Sequence, residues 1–569
     1  MPTIQPRRAG VLIPVFALRT AEDLGIGDIG GVRQLIDWAA ETGLGFVQFL
    51  PINATGSDSS PYNAISSVAL DYLTLELTPG AVPELDEKFY NSITGILRAD
   101  LLRHGSVNYP KVRRLKTTLL RRAFSQVAQD AERMAEFEAF RGREASWLDD
   151  FCLFRVLMEE HGHEDWMNWR PEVNTAALAR AWRDANAEEV GERLLFHAYV
   201  QWLCFKQWRA LRDHANGKGV KLMGDIPFGI SWCSADVFFQ PEQFDLEWCG
   251  GAPPETYFKD DYFVQRWGQN WGIPLYRWDV MEQDGYVWWR QRTQKLTEVF
   301  DIFRIDHVLG FYRIYSFPWR PQRNAEFCHL SDDEAGALTG GRLPHFIEND
   351  DDTPEHKAAN LANGDRYLRM ILSATGKSEV VAEDLGTVPD YVRPHLLSLD
   401  IPGFKVSHWE DDGNGHVAMG AYYDNCAFTT YATHDHQPMK THWELRRMES
   451  ASEDESVNGL ARKELRFLSE FAGLRFNSTH DWPAYDEHIR HALLEALLTS
   501  NARFAAFMLT DLFGLEDRFN VPGIASDSNW SARLPMTVAE MRHGSPWKEE
   551  AAWLKKTVLR AERASGTKA

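Results

Sequence analysis

Residues 301–311 read DIFRIDHVLGF. Ile302, Phe303 and Ile305 form a short apolar run of the kind that makes a buried parallel strand. Arg304, Asp306 and His307 interrupt its end, and a strand buried on both faces has no packing use for three such groups. They make sense where the strand ends at a pocket and arginine orients a carboxylate, favouring its ionised form. An Arg–Asp pair that only fixes strand register reads equally well from this motif alone. The case for chemistry comes from repetition. Asp225 in GDIPF, Glu383 in VVAEDLG and Asp435 in THDHQ also stand where apolar runs stop. One carboxylate at a strand end is often a loop cap, but four converging on one rim would repel each other unless that field were used. A reaction that develops positive charge uses it, such as cleavage of a glycosidic bond through an oxocarbenium-like state.

That chemistry needs two carboxyl groups in different protonation states. Asp306, beside Arg304, is the natural anion to attack the anomeric carbon. Glu383 follows Val380, Val381 and Ala382, so apolar surroundings are expected to raise its pKa, and Asp384 is expected to push the same way. A well-placed general acid contributes about 10²- to 10⁴-fold in rate. Asp435 would then stabilise the distorted sugar, with His434 beside it as a donor.

The elements that must carry these residues alternate. Residues 11–16 read as a strand, Val32, Leu35, Ile36 and Ala39 recur at helical spacing, Gly43 is a plausible stop, and residues 46–50 read as a second strand. That is a βαβ unit and predicts a parallel sheet. Further strands are expected at 220–228, 302–305, 379–385, near 404–409, 427–433 and 504–510. Helices are expected around 288–299 and 488–499. Residues 231–278 read as loop, 321–364 as a polar surface excursion and 447–458 as a charged, solvated loop. The count of about eight strands alternating with helices is that of a TIM (β/α)8 barrel with helical and loop insertions, which puts active sites at the C-terminal strand ends. A doubly wound open sheet is the alternative, but no glycine-rich dinucleotide or P-loop fingerprint supports it. Three stretches are expected: 1–80 with the first strands and a substrate loop, 81–217 as a mainly helical insertion, and 218–569 as the rest of the catalytic barrel.

The formal net charge of −21 disfavours nucleic acid and anionic membrane as partners. Six cysteines stand singly, with no CxxC, so neither a zinc site nor a disulfide framework is indicated. The N-terminus lacks an apolar signal core and no run is long enough to cross a bilayer, which makes the cytoplasm the expected location. Trp267, Trp271 and Trp278 sit among Gly, Gln, Asn and Pro. Flat aromatic faces beside amides suit a sugar ring, although a packed tryptophan-rich loop gives the same pattern.

On these residues the chain resembles the 4-α-glucanotransferases of the amylomaltase, or disproportionating-enzyme, type (glycoside hydrolase family 77). The similarity runs nearly end to end, through GVLIPVFALRT, LGIGDIGG, LPINATGSDSSPYNAIS, GDIPFGISWCSADVF, GQNWGIPLYRW, FRIDHVLGF, VVAEDLG, THD and NVPG. It implies a retaining double displacement with Asp306 as nucleophile, Glu383 as acid/base and Asp435 as transition-state stabiliser. It also implies Arg304 and His434 as donors around the cleaved glucose unit, and Ser60, Tyr62 and Asp225 as further sugar contacts. Gln269 and Trp271 match a loop covering the acceptor side, Tyr257 and Phe258 keep an aromatic pair in GAPPETYFKDD, and Asn520 in NVPG matches a late contact. No cofactor is implied, and the expected partners are malto-oligosaccharides and α-1,4-glucans.

There are departures from the family pattern. ATGSDSSPYN stands where PTGYGDSPYQ is usual, so Ser57 replaces an aromatic contact. The cover loop is one residue longer than the common pattern, and His436-Gln437-Pro438 follow Asp435 where Asn-Asp-Thr is frequent. These bear on chain-length preference and acceptor choice, not on the carboxylates. The rival on the same scaffold is an α-1,4-glucan hydrolase, in which water takes the place of the acceptor. More distant are a metal-dependent hydrolase using His434, Asp435, His436 and His442, and a non-catalytic glycan-binding protein.

Overall fold

The computed structural model describes residues 5–255, 261–476, 482–522, 526 and 528–564. Its strands in chain order are β1 (Arg8–Leu12), β2 (Phe46–Gln48), β3 (Lys221–Ile226), β4 (Phe244–Ala252), β5 (Gln269–Tyr276) and β6 (Ile302–Ile305). There follow β7 (Ile314–Phe317), β8 (His345–Ile347), β9 (Glu379–Ala382), β10 (Gly403–Val406), β11 (Ala427–Thr430) and β12 (Phe504–Met508). Eight of them, β1-β2-β3-β6-β9-β10-β11-β12, close into a parallel barrel. The chain is therefore a TIM barrel, as its run of short apolar segments implies.

The barrel interior is filled, not hollow. Phe46, Met223, Ile302, Val381, Phe404, Phe428, Phe504 and Ala506 form one buried cluster. Phe404 and Phe428 stack with centroids 4.4 Å apart. β1 contributes Gly10 at this level, because a Cβ there would lie 2.4 Å from the Phe46 ring. The site stands on this floor of rings.

Register sets which residues meet above it. Asp225 on β3 pairs with Arg304 on β6, and Arg304 with Val381 on β9. The ladder continues one step beyond the strands, where Asp306 N–H donates to Ile226 O and Glu383 N–H to Ile305 O, both at 2.9 Å. The two carboxylates thus leave adjacent strands at the same height. The helix Ile29–Thr42 begins where Asp28 caps Gly31 N–H and ends at Gly43, with φ 82°, as the apolar spacing predicts. Between β2 and β3 the chain is helical, including the long helices Ala131–His161 and Ala187–Gly217, which pack on each other.

Four expectations need correction. The first strand is Arg8–Leu12, because Pro14 turns the chain into a short 3₁₀ segment. Residues 231–278 are not loop. They carry β4 and β5, which with β7 and β8 build a four-stranded antiparallel sheet in the order β5-β4-β7-β8. The polar excursion at 321–364 contains β8, the helix Asp332–Thr339 and the start of the helix Pro354–Ala374. The charged stretch 447–458 is mostly the end of one helix, Met439–Glu449, and the start of another, Glu455–Phe471.

Candidate active site

One cavity of about 1950 Å³ opens at the C-terminal ends of the barrel strands and reaches the second sheet. Ser60, Tyr62, Gln269, Trp271, Arg304, Asp306, Glu383, His434, Asp435 and Asn520 all line it. Asp225 is fully buried behind the lining and acts on it through Arg304 and Tyr62. Tyr257 and Phe258 fall outside the described residues.

Arg304 is the hub. Its Nη1 donates to Asp225 Oδ2 at 2.7 Å, and its Nη2 lies 2.7 Å from Asp306 Oδ1 and 3.9 Å from Glu383 Oε2. The last two distances share one nitrogen. The Asp306 and Glu383 oxygens are therefore separated by no more than their total. That is the lower edge of the roughly 6.5–9.5 Å of inverting glycosidases and leaves room for the approximately 5–5.5 Å of retaining ones. The guanidinium also sits over the Phe404 ring, 5.6 Å from its centroid.

The two acids differ in setting. The Asp306 side chain is 28% exposed and faces the cavity, whereas that of Glu383 is 11% exposed and recessed. Glu383 Oε2 accepts the His307 N–H at 2.8 Å and Oε1 the Leu385 N–H at 3.0 Å. Burial pushes the Glu383 carboxyl up to about 7, opposed by Arg304 and the two backbone donors and assisted by the Asp306 charge. Asp384, expected to push the same way, is not among the leading causes. Its carboxylate faces away and accepts from Arg393 Nε and Phe404 N–H.

Asp435 stands across the mouth. Its Oδ1 accepts from Asn520 Nδ2 at 2.6 Å, and its Oδ2 lies 3.3 Å from His434 Nε2. Burial works to raise its pKa, but His434, the Asn520 hydrogen bond, His436 and Arg304 outweigh that and hold it below the usual value. Tyr62 stacks on His434 at 5.0 Å and donates to Asp225 Oδ2 at 2.7 Å. Burial, then the Asp225 charge, push the Tyr62 hydroxyl well above 10, so it stays a donor.

Of the three tryptophans in the 267–278 segment, only Trp271 lines the cavity. It lies edge-on to His307 at 4.7 Å, and its Nε1 donates to Gln269 Oε1 at 3.3 Å. Trp267 is buried against Trp319, and Trp278 stacks on Tyr367 at 3.9 Å. Two partners had no signal in the sequence. Arg518 donates to the Asp435 carbonyl, and Trp530 tilts against both Tyr62 and His434. Their partners are 83 residues or more away in the chain. His434, Asp435, His436 and His442 do not share one ligand set among the described residues, where His442 instead groups with His408 and Glu464.

Comparison with known proteins settles the family. Residues 13–537 match the family model described as 4-alpha-glucanotransferase. The chain belongs to this family. It is 30% identical over 553 residues to the 4-alpha-glucanotransferase of Thermus thermophilus, with 95% of this chain and 97% of that one covered. It is 29% identical to the 4-alpha-glucanotransferase of Chlamydia trachomatis, over 94% and 92% of the two chains. An amylomaltase from Streptococcus agalactiae, solved in complex with acarbose, shares the fold with a TM-score of 0.74 at 22% identity, covering 98% of this chain and 100% of that one. No helix of the described chain is long and apolar enough to cross a membrane.

Proposed function

We propose that this member of the family moves α-1,4-glucan segments from a donor malto-oligosaccharide to the 4-hydroxyl of an acceptor glucan or glucose, with retention of configuration. Asp306 attacks the anomeric carbon as Glu383 gives its proton to the departing 4-oxygen. The glycosidic bond breaks and a glycosyl ester forms on Asp306. Glu383, now ionised, takes the proton of the acceptor 4-hydroxyl as that oxygen attacks the same carbon and releases Asp306. Asp435 and His434 hold the distorted sugar, and Arg304 keeps the nucleophile aimed. The observation that carries this reading is the Arg304 Nη2 placed between the Asp306 and Glu383 oxygens.

Transfer outruns hydrolysis when the acceptor side holds sugar and excludes water. Gln269 and Trp271, on the second sheet above the rim, are the residues we assign to that task. Maltotriose is therefore expected to give glucose and a ladder of longer glucans. Release of reducing ends without any lengthening would make the chain a hydrolase instead. Asp306→Asn should abolish both activities, and near-normal transfer by that variant would overturn the assignment of the nucleophile.

A further inference from the structure

We propose that His408, His442 and Glu464 form a binding site for one divalent transition-metal ion of the zinc class, open toward the wall of the cavity. The residues come from three segments. His408 lies two residues beyond β10, His442 on the helix Met439–Glu449 and Glu464 on the helix Glu455–Phe471. One ligand atom from each lies within 4.8 Å of the others. All three residues line the cavity.

The geometry is that of a ligand set more than of a hydrogen-bond network. His442 Nε2 is 3.1 Å from Glu464 Oε2 yet is not aligned as a hydrogen bond to it. A tetrahedral ion with bonds of about 2.0–2.1 Å sets its ligands roughly 3.3 Å apart, so this pair already has nearly the spacing of one edge. His408 is only 4% exposed, and its Nδ1 is buried with no hydrogen-bond partner among the described residues. Buried polar atoms are rarely left so. An ion pair between Glu464 and its cations accounts for His442 but gives His408 nothing to do.

The chemistry of the donors fits as well. Two imidazoles and one carboxylate leave a fourth position free, as in open zinc sites. Arg446 Nε donates to Glu464 Oε2 at 2.6 Å, and its Nη1 donates to Glu449 Oε2 at 2.5 Å. It is thus fixed as an outer partner that orients the ligating carboxylate. From sequence, His442 groups only with the nearby His434, Asp435 and His436, because His408 and Glu464 are far from it in the chain. This site is separate from Asp306 and Glu383, and glucan transfer as derived above takes no step through it.

The test uses the full-length protein, stripped with chelator and dialysed. Equilibrium dialysis against micromolar zinc with elemental analysis should give about one ion per chain. Cobalt(II) at the same site should give the intense visible band of four-coordinate cobalt. His442→Gln and His408→Asn, checked for unchanged thermal melting, should each weaken zinc by at least about tenfold. His491→Gln, in the separate group Glu487–His491–Glu550, should not. No zinc uptake by the wild type, a weak octahedral cobalt spectrum, or zinc lost only with His491→Gln would each overturn the proposal. If both variants fail to fold, the cobalt spectrum decides by comparison: a four-coordinate band kept in His491→Gln supports the proposal, and one lost in it overturns it.

Discussion

At the scale of single residues, transfer depends on Glu383 holding a proton for the departing oxygen. Its carboxyl is pushed up to about 7 by burial. A general acid works only while protonated, so kcat/KM should fall as pH rises through about 7 and approach a tenfold loss per unit above it. Asp511 is also pushed to about 7 by burial, so a variant is needed to assign that limb. Glu383→Gln should lower kcat on maltotriose by about 10²- to 10⁴-fold and remove the basic limb. A flat profile to pH 9 in the wild type, or an unchanged limb in the variant, would assign the acid elsewhere.

At the scale of elements, the second sheet and the helix Pro354–Ala374 carry the predictions. Trp271→Ala removes the indole that lies edge-on to His307 and that we assign to the acceptor side. The ratio of free reducing ends to lengthened chains should rise several-fold, read from maltotriose products, and an unchanged ratio would mean that water is excluded by other residues. Gly364 sits within the helix Pro354–Ala374, where alanine ordinarily stabilises by about 0.5–1 kcal/mol. Here a Cβ would meet the Tyr312 ring at 2.2 Å, and that ring is tied through its hydroxyl to His395 Nδ1 at 2.8 Å. Gly364→Ala should therefore destabilise, by about 1–3 kcal/mol, and lower the thermal midpoint; a raised midpoint would show that Tyr312 yields freely.

What could be read from sequence follows from how each element is buried. The barrel strands are enclosed on both faces, so they stand out as unbroken apolar runs, and Arg304, Asp306 and Glu383 stand out as breaks in them. β4 and β5 are different. FDLEWCGGA and QNWGIPLY alternate poorly because their pairing shifts register between Asp245 and Cys249 and again between Gly250 and Gly251. Gly251 is where a Cβ would lie 1.9 Å from Gln269 O, so close approach of the two strands demanded a residue that reads as loop. Arg518 and Trp530 were invisible for another reason, since only the closed barrel brings them to Asp435 and Tyr62.

At the scale of the whole molecule, the barrel must close β1 on β12, and residues near both chain ends fasten that seam. Arg533 is fully buried, donating to Leu18 O at 2.7 Å and to Asp23 Oδ2 at 2.8 Å. Asp23 is buried to the same degree. Removing one partner of a buried pair leaves the other charge without compensation, at a cost of about 3–5 kcal/mol. Arg533→Met, which keeps most of the volume, should lower stability by that order in denaturant unfolding while leaving the pH dependence of transfer where it was. A stability within experimental error of the wild type would show that Asp23 finds water or another donor.

The most direct test is to trap the ester. Glu383→Gln, given an α-maltosyl fluoride whose leaving group needs no acid, should accumulate a covalent maltosyl enzyme. Mass spectrometry of its peptides is predicted to place the sugar on Asp306. Label on Asp225 or Asp435, or turnover to the β-anomer with no label at all, would contradict the account.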